Sequence, residues 1–363
     1  MNKFFTLLVG IVCTIQLHSQ DTTYSLKLKL TGHSRSLESV AFSPDGKWVA
    51  TGGWDKDVRI YNADTPNIGK QILTLTGPYA AITCLKFSSD GTKIATGSKD
   101  YTVRVYDAKL GALLFSSAAH TDAITQVTFD PSGKFLMSSS KDGTLKMHNL
   151  SDVNAPTNTV KYSAAINAFV MAANGKSLYV ASSNGTVDNI GFKGAVIRSL
   201  SGHTDVVNCM EMSPDKKTLI TGSDDKLLIL WDLVSGKEIK RFSGHGWKVT
   251  SVNFSSDGKY IVSSCNDGQT IVWDVESGKA VVTLNAMGTN ARCAAFSPDM
   301  TKIAVATQME SSNQGAVIYN TPLKKAEAKA AKPAAAAKPG ASKPAAGKPT
   351  TGAAKPANNK SKK

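Results

Sequence analysis

The feature that most constrains the fold of this chain is a repeat of about 42 residues that runs through its middle. Each copy contains a short apolar run that closes on an aromatic residue or a methionine just ahead of a turn. The copies lie 45, 42, 42, 41, 42 and 42 residues apart, at Phe42, Phe87, Phe129, Met171, Met212, Phe254 and Phe296. This period indicates a repeat architecture in which each unit packs only against its neighbours.

Each unit has the pattern of several short strands. Turn pairs such as Asp45-Gly46 and Asp257-Gly258 follow the closing residue, and they adopt the positive φ angles of tight hairpins at little cost. Alternating apolar runs such as Val58-Arg59-Ile60-Tyr61 follow the turns in most units. Short strands at this spacing predict an all-β fold without crossover helices.

Seven units of four antiparallel strands predict a seven-bladed β-propeller. The seventh unit ends at Val317-Ile318-Tyr319 without a fourth strand, whereas residues 24–30, ahead of the first unit, alternate as a strand does. Pairing these two segments closes the ring and removes an exposed sheet edge. We therefore predict a propeller over residues 21–322 that is closed by its N-terminal strand.

Short motifs recur at fixed places in the units. Gly-His steps stand at Gly32-His33, Gly202-His203 and Gly244-His245, and Trp-Asp pairs end two units at Trp231-Asp232 and Trp273-Asp274. With these motifs the chain resembles the WD-repeat (WD40-type) β-propeller family over residues 23–320. Other units depart from the pattern, with tyrosine, histidine or isoleucine in the tryptophan slot.

The resemblance implies a structural role for these residues. In the family, a His, a strand Ser or Thr, a turn Asp and the Trp form a hydrogen-bonded chain that locks a blade. With blades numbered along the chain from the unit of Phe42, the implied sets are His203, Thr221, Asp225 and Trp231 in blade five, and His245, Ser263, Asp267 and Trp273 in blade six. Blade two has Pro78 in the histidine position and blade four lacks both His and Trp, so we expect mainly apolar packing there.

The two ends of the chain differ from its middle. Residues 1–20 have the layout of a signal peptide, with Lys3 followed by about a dozen apolar residues. This favours export to a periplasm, a cell envelope or the exterior, with a bacterial envelope as the best fit. An uncleaved anchor is the rival interpretation, although no apolar run reaches the roughly 18–20 residues that span a bilayer. A lipid on Cys13 is a further alternative, but Ile11 and Val12 precede it where a small residue is usual.

The C-terminal segment, residues 323–363, is rich in Lys, Ala and Pro and is predicted to be disordered. Its eleven lysines face one acid, Glu327, so it carries +10 of the formal net charge of +14. The high isoelectric point therefore belongs to this tail, and the body is not a basic nucleic-acid-binding fold. The tail acts either as a solubilising spacer or as a tether to a polyanion, and the sequence leaves both open.

The sequence contains no motif of a known catalytic, phosphate-binding or metal-binding type. His, Ser/Thr and Asp do occur near one another, but they recur in equivalent places of several units, which indicates a structural role. We expect no enzymatic activity, no cofactor and no metal. The spacing does not assign a role to Cys265.

The family resemblance places partner binding on the face that carries the starts of the first strands and the ends of the second strands. The large or charged residues carried over to that face are Trp54, Lys99, Lys141, Trp247, Lys248 and Arg292. Tryptophan and arginine concentrate binding energy at interfaces. The alternative is that Trp54 packs over its own blade and that the lysines only solvate the rim.

These observations predict a non-catalytic, exported, monomeric scaffold that presents one propeller face to an acidic protein partner, with the tail as a tether. The alternative is a polyanion-binding protein that acts mainly through residues 324–363, on a cell-wall polymer, an acidic glycan or a nucleic acid. A propeller enzyme is the third possibility, and no motif favours it.

Overall fold

The computed structural model describes residues 24–152, 154–285, 290–308 and 315–323. Within these residues, twenty-eight strands form seven four-stranded antiparallel sheets. This confirms the predicted all-β, seven-bladed propeller. The predicted signal peptide and the tail beyond Leu323 lie outside the described residues.

The strands follow the chain in blade order, and the first strand of each blade is the innermost. Blade one comprises β2 (Leu37–Phe42), β3 (Trp48–Gly53), β4 (Val58–Asn62) and β5 (Gln71–Leu75). Blade two comprises β6 (Ile82–Phe87), β7 (Lys93–Ser98), β8 (Val103–Asp107) and β9 (Leu113–Ser117). Blade three comprises β10 (Ile124–Phe129), β11 (Phe135–Ser140), β12 (Thr144–Asn149) and β13 (Asn158–Lys161). Blade four comprises β14 (Ile166–Met171), β15 (Ser177–Ser182), β16 (Val187–Gly191) and β17 (Val196–Leu200). Blade five comprises β18 (Val207–Met212), β19 (Thr218–Ser223), β20 (Leu228–Asp232) and β21 (Glu238–Phe242). Blade six comprises β22 (Val249–Phe254), β23 (Tyr260–Cys265), β24 (Gln269–Asp274) and β25 (Ala280–Asn285). Blade seven combines β26 (Asn290–Phe296), β27 (Lys302–Gln308) and β28 (Ala316–Asn320) with β1 (Ser25–Lys29).

The N-terminal strand closes the ring, as the sequence predicts. β1 pairs antiparallel with β28, and Leu26 lies opposite Tyr319 while Leu28 lies opposite Ile318. The Leu30 N–H continues the pairing and donates to the Ala316 carbonyl at 2.7 Å. Both ends of the propeller are therefore held in one sheet.

The core lies between the blades rather than inside any single one. Seven apolar clusters fill the seven gaps between neighbouring sheets among the described residues. The gap between blades seven and one contains Leu37, Val40, Tyr61 and Ile318. Full burial of one such aliphatic side chain contributes about 1.5–3 kcal/mol, so each blade depends on two neighbours for its stability.

A β-bulge recurs at one place in all seven first strands. The pairing register shifts between Leu37 and Ser39 in β2 and between Ala291 and Cys293 in β26, and the other five first strands shift at the equivalent place. A bulge re-aims the side chain of its extra residue. The residues at this place are Glu38, Thr83, Thr125, Asn167, Asn208, Thr250 and Arg292.

Five of these bulge residues bond across to the next blade. Thr83, Thr125, Asn167, Asn208 and Thr250 donate from their side chains to the carbonyl that lies just before the next blade's bulge, at 2.6–2.9 Å. The first strands therefore run parallel and in register around the axis. Their N-terminal ends lie together at one mouth of the ring.

Candidate functional site

The start of the first strand and the residue after the second strand, which the sequence assigns to the binding face, lie side by side. In six blades the backbone N–H of the residue that follows the second strand donates to the carbonyl just before the first strand. Trp54 donates to Ser36 at 2.8 Å, and Lys99 and Lys141 donate to the corresponding alanines. This bond fixes the loop backbone, so side chains from successive blades share one mouth of the ring.

Trp54 is the centre of the site at this mouth. Its side chain is 41% exposed although its backbone is fixed. The indole Nε1 donates to Glu38 Oε1 at 2.5 Å, and the Lys99 ammonium lies 3.7 Å from the ring centroid. A cation over the face of a tryptophan ring is held by the ring quadrupole. Both contacts hold the ring in one orientation while leaving part of it open to solvent.

Arg292 joins this group from blade seven. Its Nη2 and Nε donate to Glu38 Oε2 at 2.8 and 2.9 Å. Its Nη1 donates to Asn266 Oδ1 at 3.1 Å, and the Asn266 N–H in turn donates to the Lys248 carbonyl at 3.1 Å. Glu38 therefore connects Trp54 with Arg292, and Lys99 lies over the Trp54 ring. Asn266 connects Arg292 with the backbone of Lys248. We call Glu38, Trp54, Lys99, Lys141 and Arg292 the Trp54 cluster.

The Trp54 cluster carries an excess of positive charge. Arg292 pairs with the carboxylate of Glu38, and Lys99 lies close enough to feel the charges of Glu38, Lys141 and Arg292. Burial lowers the pKa of the Lys99 ammonium, and the charges of Lys141 and Arg292 lower it further, while Glu38 opposes them. Lys141 and Arg292 therefore repel the charge of Lys99, and an added anion would reduce this repulsion.

Trp247 forms a separate cation–aromatic pair. Its side chain is 56% exposed, and the Lys226 ammonium lies 5.9 Å from its ring centroid. Lys226 belongs to blade five and Trp247 to the loop before blade six. Sequence reasoning missed Lys226 because its partner comes from the neighbouring blade, 21 residues further along the chain.

The hydrogen-bonded chain of blade five is complete. His203 Nδ1 pairs with Asp225 Oδ2 at 2.7 Å, and His203 Nε2 pairs with Thr221 Oγ1 at 2.8 Å. The Trp231 indole donates to the same Thr221 oxygen at 2.9 Å. Burial lowers the pKa of His203, against the pull of Asp225. The neutral imidazole therefore links the turn to the third strand.

The chain of blade six is not complete. His245 Nε2 pairs with Ser263 Oγ at 2.6 Å, and the Trp273 indole donates to Ser263 at 2.7 Å. However, Asp267 accepts from the backbone of Gly246 and Gln269 instead of from the imidazole. His245 Nδ1 is buried without a hydrogen-bond partner.

Blades one and three follow the same scheme with other residues in the tryptophan slot. His33 bonds Asp55 and Thr51 at 2.8 and 2.7 Å, while Tyr61 donates elsewhere, to the Thr31 carbonyl at 2.8 Å. In blade three His120 bonds Asp142 and Ser138 at 3.0 and 2.8 Å. His148 takes the tryptophan slot and reaches Ser138 at 3.0 Å.

Blades two and four contain polar pairs as well as the apolar packing that we expected. In blade two, which has Pro78 in place of histidine, Arg104 bonds Asp100 at 3.0 Å. In blade four the Tyr162 hydroxyl donates to the buried Asp188. Tyr162 lies nine residues before the closing Met171, as His203 does before Met212. This spacing could have identified it.

These His, Ser/Thr and Asp sets are not arranged for nucleophilic attack. Thr221 and Ser263 have no exposed surface, so no substrate can reach their oxygens. Their hydroxyls are also engaged with indole and imidazole groups. A connected, buried polar network of this kind rigidifies a sheet.

None of the described residues belongs to a helix that is long and apolar enough to cross a membrane.

Comparisons with known proteins agree with this architecture. The family model described as WD domain, G-beta repeat matches residues 24–62, 69–107, 111–149, 194–232 and 236–274, more than half of the chain. Each matched segment begins with the outer strand of one blade or the turn before it and ends with the third strand of the next. Blade four, with neither His nor Trp in the family positions, contributes only its outer strand to a match.

A similar curated protein is the Notchless protein homolog of Arabidopsis thaliana, which is 51% identical over 39 residues. That stretch is 11% of this chain and 8% of the plant protein, so the chain matches only a small part of that protein's length. The five repeat matches and the seven observed blades show that the chain belongs to the WD domain, G-beta repeat family.

Proposed function

We propose that this protein is a non-catalytic interaction scaffold that binds an acidic segment of a protein partner at the Trp54 cluster. WD40 propellers bind protein partners and are typically non-catalytic. The choice of surface is supported by Trp54, which is part-exposed and yet held by Glu38 and Lys99. A side chain that is already ordered loses little entropy on binding.

The acidic character of the partner follows from charge. Lys99, Lys141 and Arg292 outnumber the one carboxylate in their midst. A carboxylate from a partner would pair with the exposed lysines and displace little ordered protein. Rim charges of this kind mainly raise the association rate, so binding should weaken with salt.

The first test is affinity capture from the native source with full-length protein, followed by a binding titration with the captured partner. Trp54→Ala should weaken binding about 30-fold, which corresponds to the roughly 2 kcal/mol loss of a typical interface hot spot. Trp247→Ala is the matched control, because it removes a second exposed tryptophan that is also paired with a lysine. Loss of binding in the control with retention in Trp54→Ala would place the site on blades five and six and contradict the proposal.

We further propose that the protein is exported and that residues 324–363 tether it to a polyanion. The support is the sequence alone: a leader with signal-peptide layout and eleven lysines against one acid in the tail. When this protein is isolated from its native source, its N-terminal peptides should begin near residues 19–21. Intact Met1 peptides would contradict cleavage.

The tail proposal has its own measurement. Neutralisation of several anions makes binding steeply salt-dependent. Full-length protein should be retained on an anionic polymer column to a higher salt concentration than a version that ends at Leu323. Equal elution of the two would leave the tail as a spacer. Partner binding at the Trp54 cluster is a separate result, since it needs no tail.

A further inference from the structure

One corner of blade six brings together a histidine, a cysteine and an aspartate. His245 lies in the loop before β22, Cys265 ends β23, and Asp267 lies in the turn that follows. One potential ligand atom from each lies within 4.8 Å of the other two. His245 and Cys265 are buried, with exposed fractions of 6% and 0%, whereas Asp267 is exposed.

The histidine differs from its counterparts in three other blades. His33, His120 and His203 each pair through Nδ1 with the turn aspartate at 2.7–3.0 Å. Those aspartates keep side-chain exposures of only 5–7%. In blade six the equivalent Nδ1 has no hydrogen-bond partner. A buried polar atom without a partner costs about 1–3 kcal/mol. The corner of blade six therefore lacks the stabilising His–Asp contact of blades one, three and five.

The cysteine also replaces a residue that has a defined role elsewhere. Ser98, Ser140 and Ser223 occupy its position in blades two, three and five. Each of their hydroxyls donates to a loop carbonyl at 2.9–3.1 Å and accepts from the backbone N–H of the turn aspartate at 3.1 Å. The Cys265 thiol contacts the backbone of Trp247 and Asp267 at the same spacings. It is a weaker hydrogen-bonding group than the serine hydroxyl but a good metal ligand when deprotonated.

We propose that His245, Cys265 and Asp267 form a zinc site. Imidazole nitrogen, thiolate sulfur and carboxylate oxygen are the three protein ligand types of Zn²⁺. Ligand atoms around tetrahedral zinc lie about 3.3–3.8 Å apart, given bonds of about 2.0–2.3 Å. Separations of up to 4.8 Å therefore close to these values with small movements of the three side chains. The exposed side of the corner admits a water molecule as the fourth ligand.

The neighbouring hydroxyl orients the imidazole for this role. Ser263 Oγ contacts His245 Nε2 at 2.6 Å and accepts from the Trp273 indole at 2.7 Å. A hydroxyl oxygen has two lone pairs, so it can also accept from Nε2–H. That tautomer leaves the Nδ1 lone pair free, and such a partner on the other ring nitrogen is usual for zinc-bound histidine.

Zinc at this corner would replace the missing His–Asp bond of blade six. It would join the loop before β22 to the turn after β23. Trp247 is in that loop, two residues after His245, so the metal would also fix the backbone of the second exposed tryptophan.

The test uses full-length protein stripped with a chelator and titrated with Co²⁺, a spectroscopic probe for zinc sites. We expect one equivalent to bind with a thiolate-to-cobalt charge-transfer band in the near ultraviolet, and Zn²⁺ to displace it. Cys265→Ser should lose the band and stoichiometric binding. It should still fold, because serine stands at this position in four other blades.

Cys209→Ser is the matched control, since Cys209 is another free cysteine on a strand and lies outside the cluster. It should bind Co²⁺ as the wild type does. Absence of the charge-transfer band in the wild type, or its persistence in Cys265→Ser, would overturn the proposal. In addition, Zn²⁺ should raise the thermal midpoint of the wild type and of Cys209→Ser but not that of Cys265→Ser.

Discussion

Trp231 and His148 occupy the same slot in blades five and three, and each reaches the hydroxyl of the second strand. The indole stays neutral at all working pH values, whereas imidazole gains a proton in acid. His148 also leaves its Nδ1 buried without a hydrogen-bond partner. At the scale of a single residue, this choice makes blade three sensitive to pH.

We predict that His148→Trp removes part of the acid sensitivity of the protein. Burial lowers the pKa of His148 from 6.5 to about 4, and His120 and Lys146 add to the effect. The unfolded chain therefore binds this proton more readily than the folded chain. The free energy of unfolding should fall by up to about 1.4 kcal/mol per pH unit as pH drops from 6.5 towards 4.

The measurement is urea unfolding of both proteins between pH 4.5 and pH 7. The slope of unfolding free energy against pH should be smaller in His148→Trp, by an amount that corresponds to the uptake of up to one proton on unfolding. Comparing slopes cancels any difference in overall stability caused by the larger ring. Equal slopes would show that His148 titrates normally in the folded protein.

Turn chemistry acts at the same scale. In five blades a glycine takes the positive φ of the turn between the first and second strands, but Lys216 takes it in blade five with φ 61°. An L-residue in this region costs about 1 kcal/mol or more. Lys216→Gly should therefore raise the free energy of unfolding by about 1 kcal/mol, as measured by denaturant titration.

The neighbouring Lys217 provides the control for this substitution. It is exposed like Lys216, but its φ is not positive. Lys217→Gly should lower stability, because glycine there only adds freedom to the unfolded chain. A gain in both variants would point to relief of positive charge instead of backbone strain.

At the scale of one element, β1 completes blade seven. Its pairing with β28 continues through Leu30, whose carbonyl lies beside Gly315. A Cβ added at Gly315 would come within 1.6 Å of that oxygen, a contact that only backbone displacement can relieve. The approach of the two strands therefore requires glycine at this point.

We predict that Gly315→Ala lowers the free energy of unfolding by more than about 2 kcal/mol, because β1 must move away from the edge of β28. Differential scanning calorimetry and hydrogen exchange in residues 25–30 are the measurements. Gly191→Ala is the control, since a Cβ there meets nothing closer than 4.0 Å. Unchanged protection of β1 in Gly315→Ala would contradict the argument.

At the scale of the whole molecule, the ring of bulge residues changes at the junction of blades seven and one. Five bulge residues donate to the next blade's backbone, but Arg292 donates to the side chain of Glu38. Glu38 has no proton to donate onwards and accepts from Trp54 instead. The junction is thus an ion pair, and the same ion pair supports the Trp54 cluster.

We predict that Glu38→Thr and Arg292→Thr are each destabilising by about 1–3 kcal/mol, because each leaves a part-buried charge without its ion-pair partner. The double variant should lose less than the sum of the two. Threonine at both places can donate to the next blade's carbonyl, as Thr83, Thr125 and Thr250 do. A double-mutant cycle by denaturant unfolding gives the coupling, and strict additivity would contradict it.

The same double variant separates stability from binding. It removes the carboxylate that fixes Trp54 and one of the three cations. Under the proposed function it should therefore bind the partner more weakly than its stability alone would suggest. Stability and binding are linked in this variant because Glu38 and Arg292 belong both to the junction of blades seven and one and to the Trp54 cluster.

The number of blades, their four strands, the turns and the closing strand all follow from the sequence. Phe42, Asp45-Gly46 and the other copies of this pattern act within one unit, through hydrophobic periodicity and turn geometry, so the linear chain contains their information. The hydrogen-bonded set of His203, Asp225, Thr221 and Trp231 also recurs at fixed spacing, which is why the resemblance could place it.

Contacts between blades are different, because they depend on the direction in which each side chain leaves its strand. Arg292 meets Glu38 across 254 residues, Lys99 covers Trp54 from the next blade, and Arg104 takes the place of a missing histidine. His245 and Asp267 have the family spacing and still do not bond. The sequence by itself determined the blades, since these depend on local strand and turn preferences. It also indicated the closure, because the seventh unit lacks a fourth strand and residues 24–30 have the pattern of one. Only the tertiary structure decided which side chains meet at the mouth and in the corner of blade six, because those meetings depend on bulges and inter-blade packing.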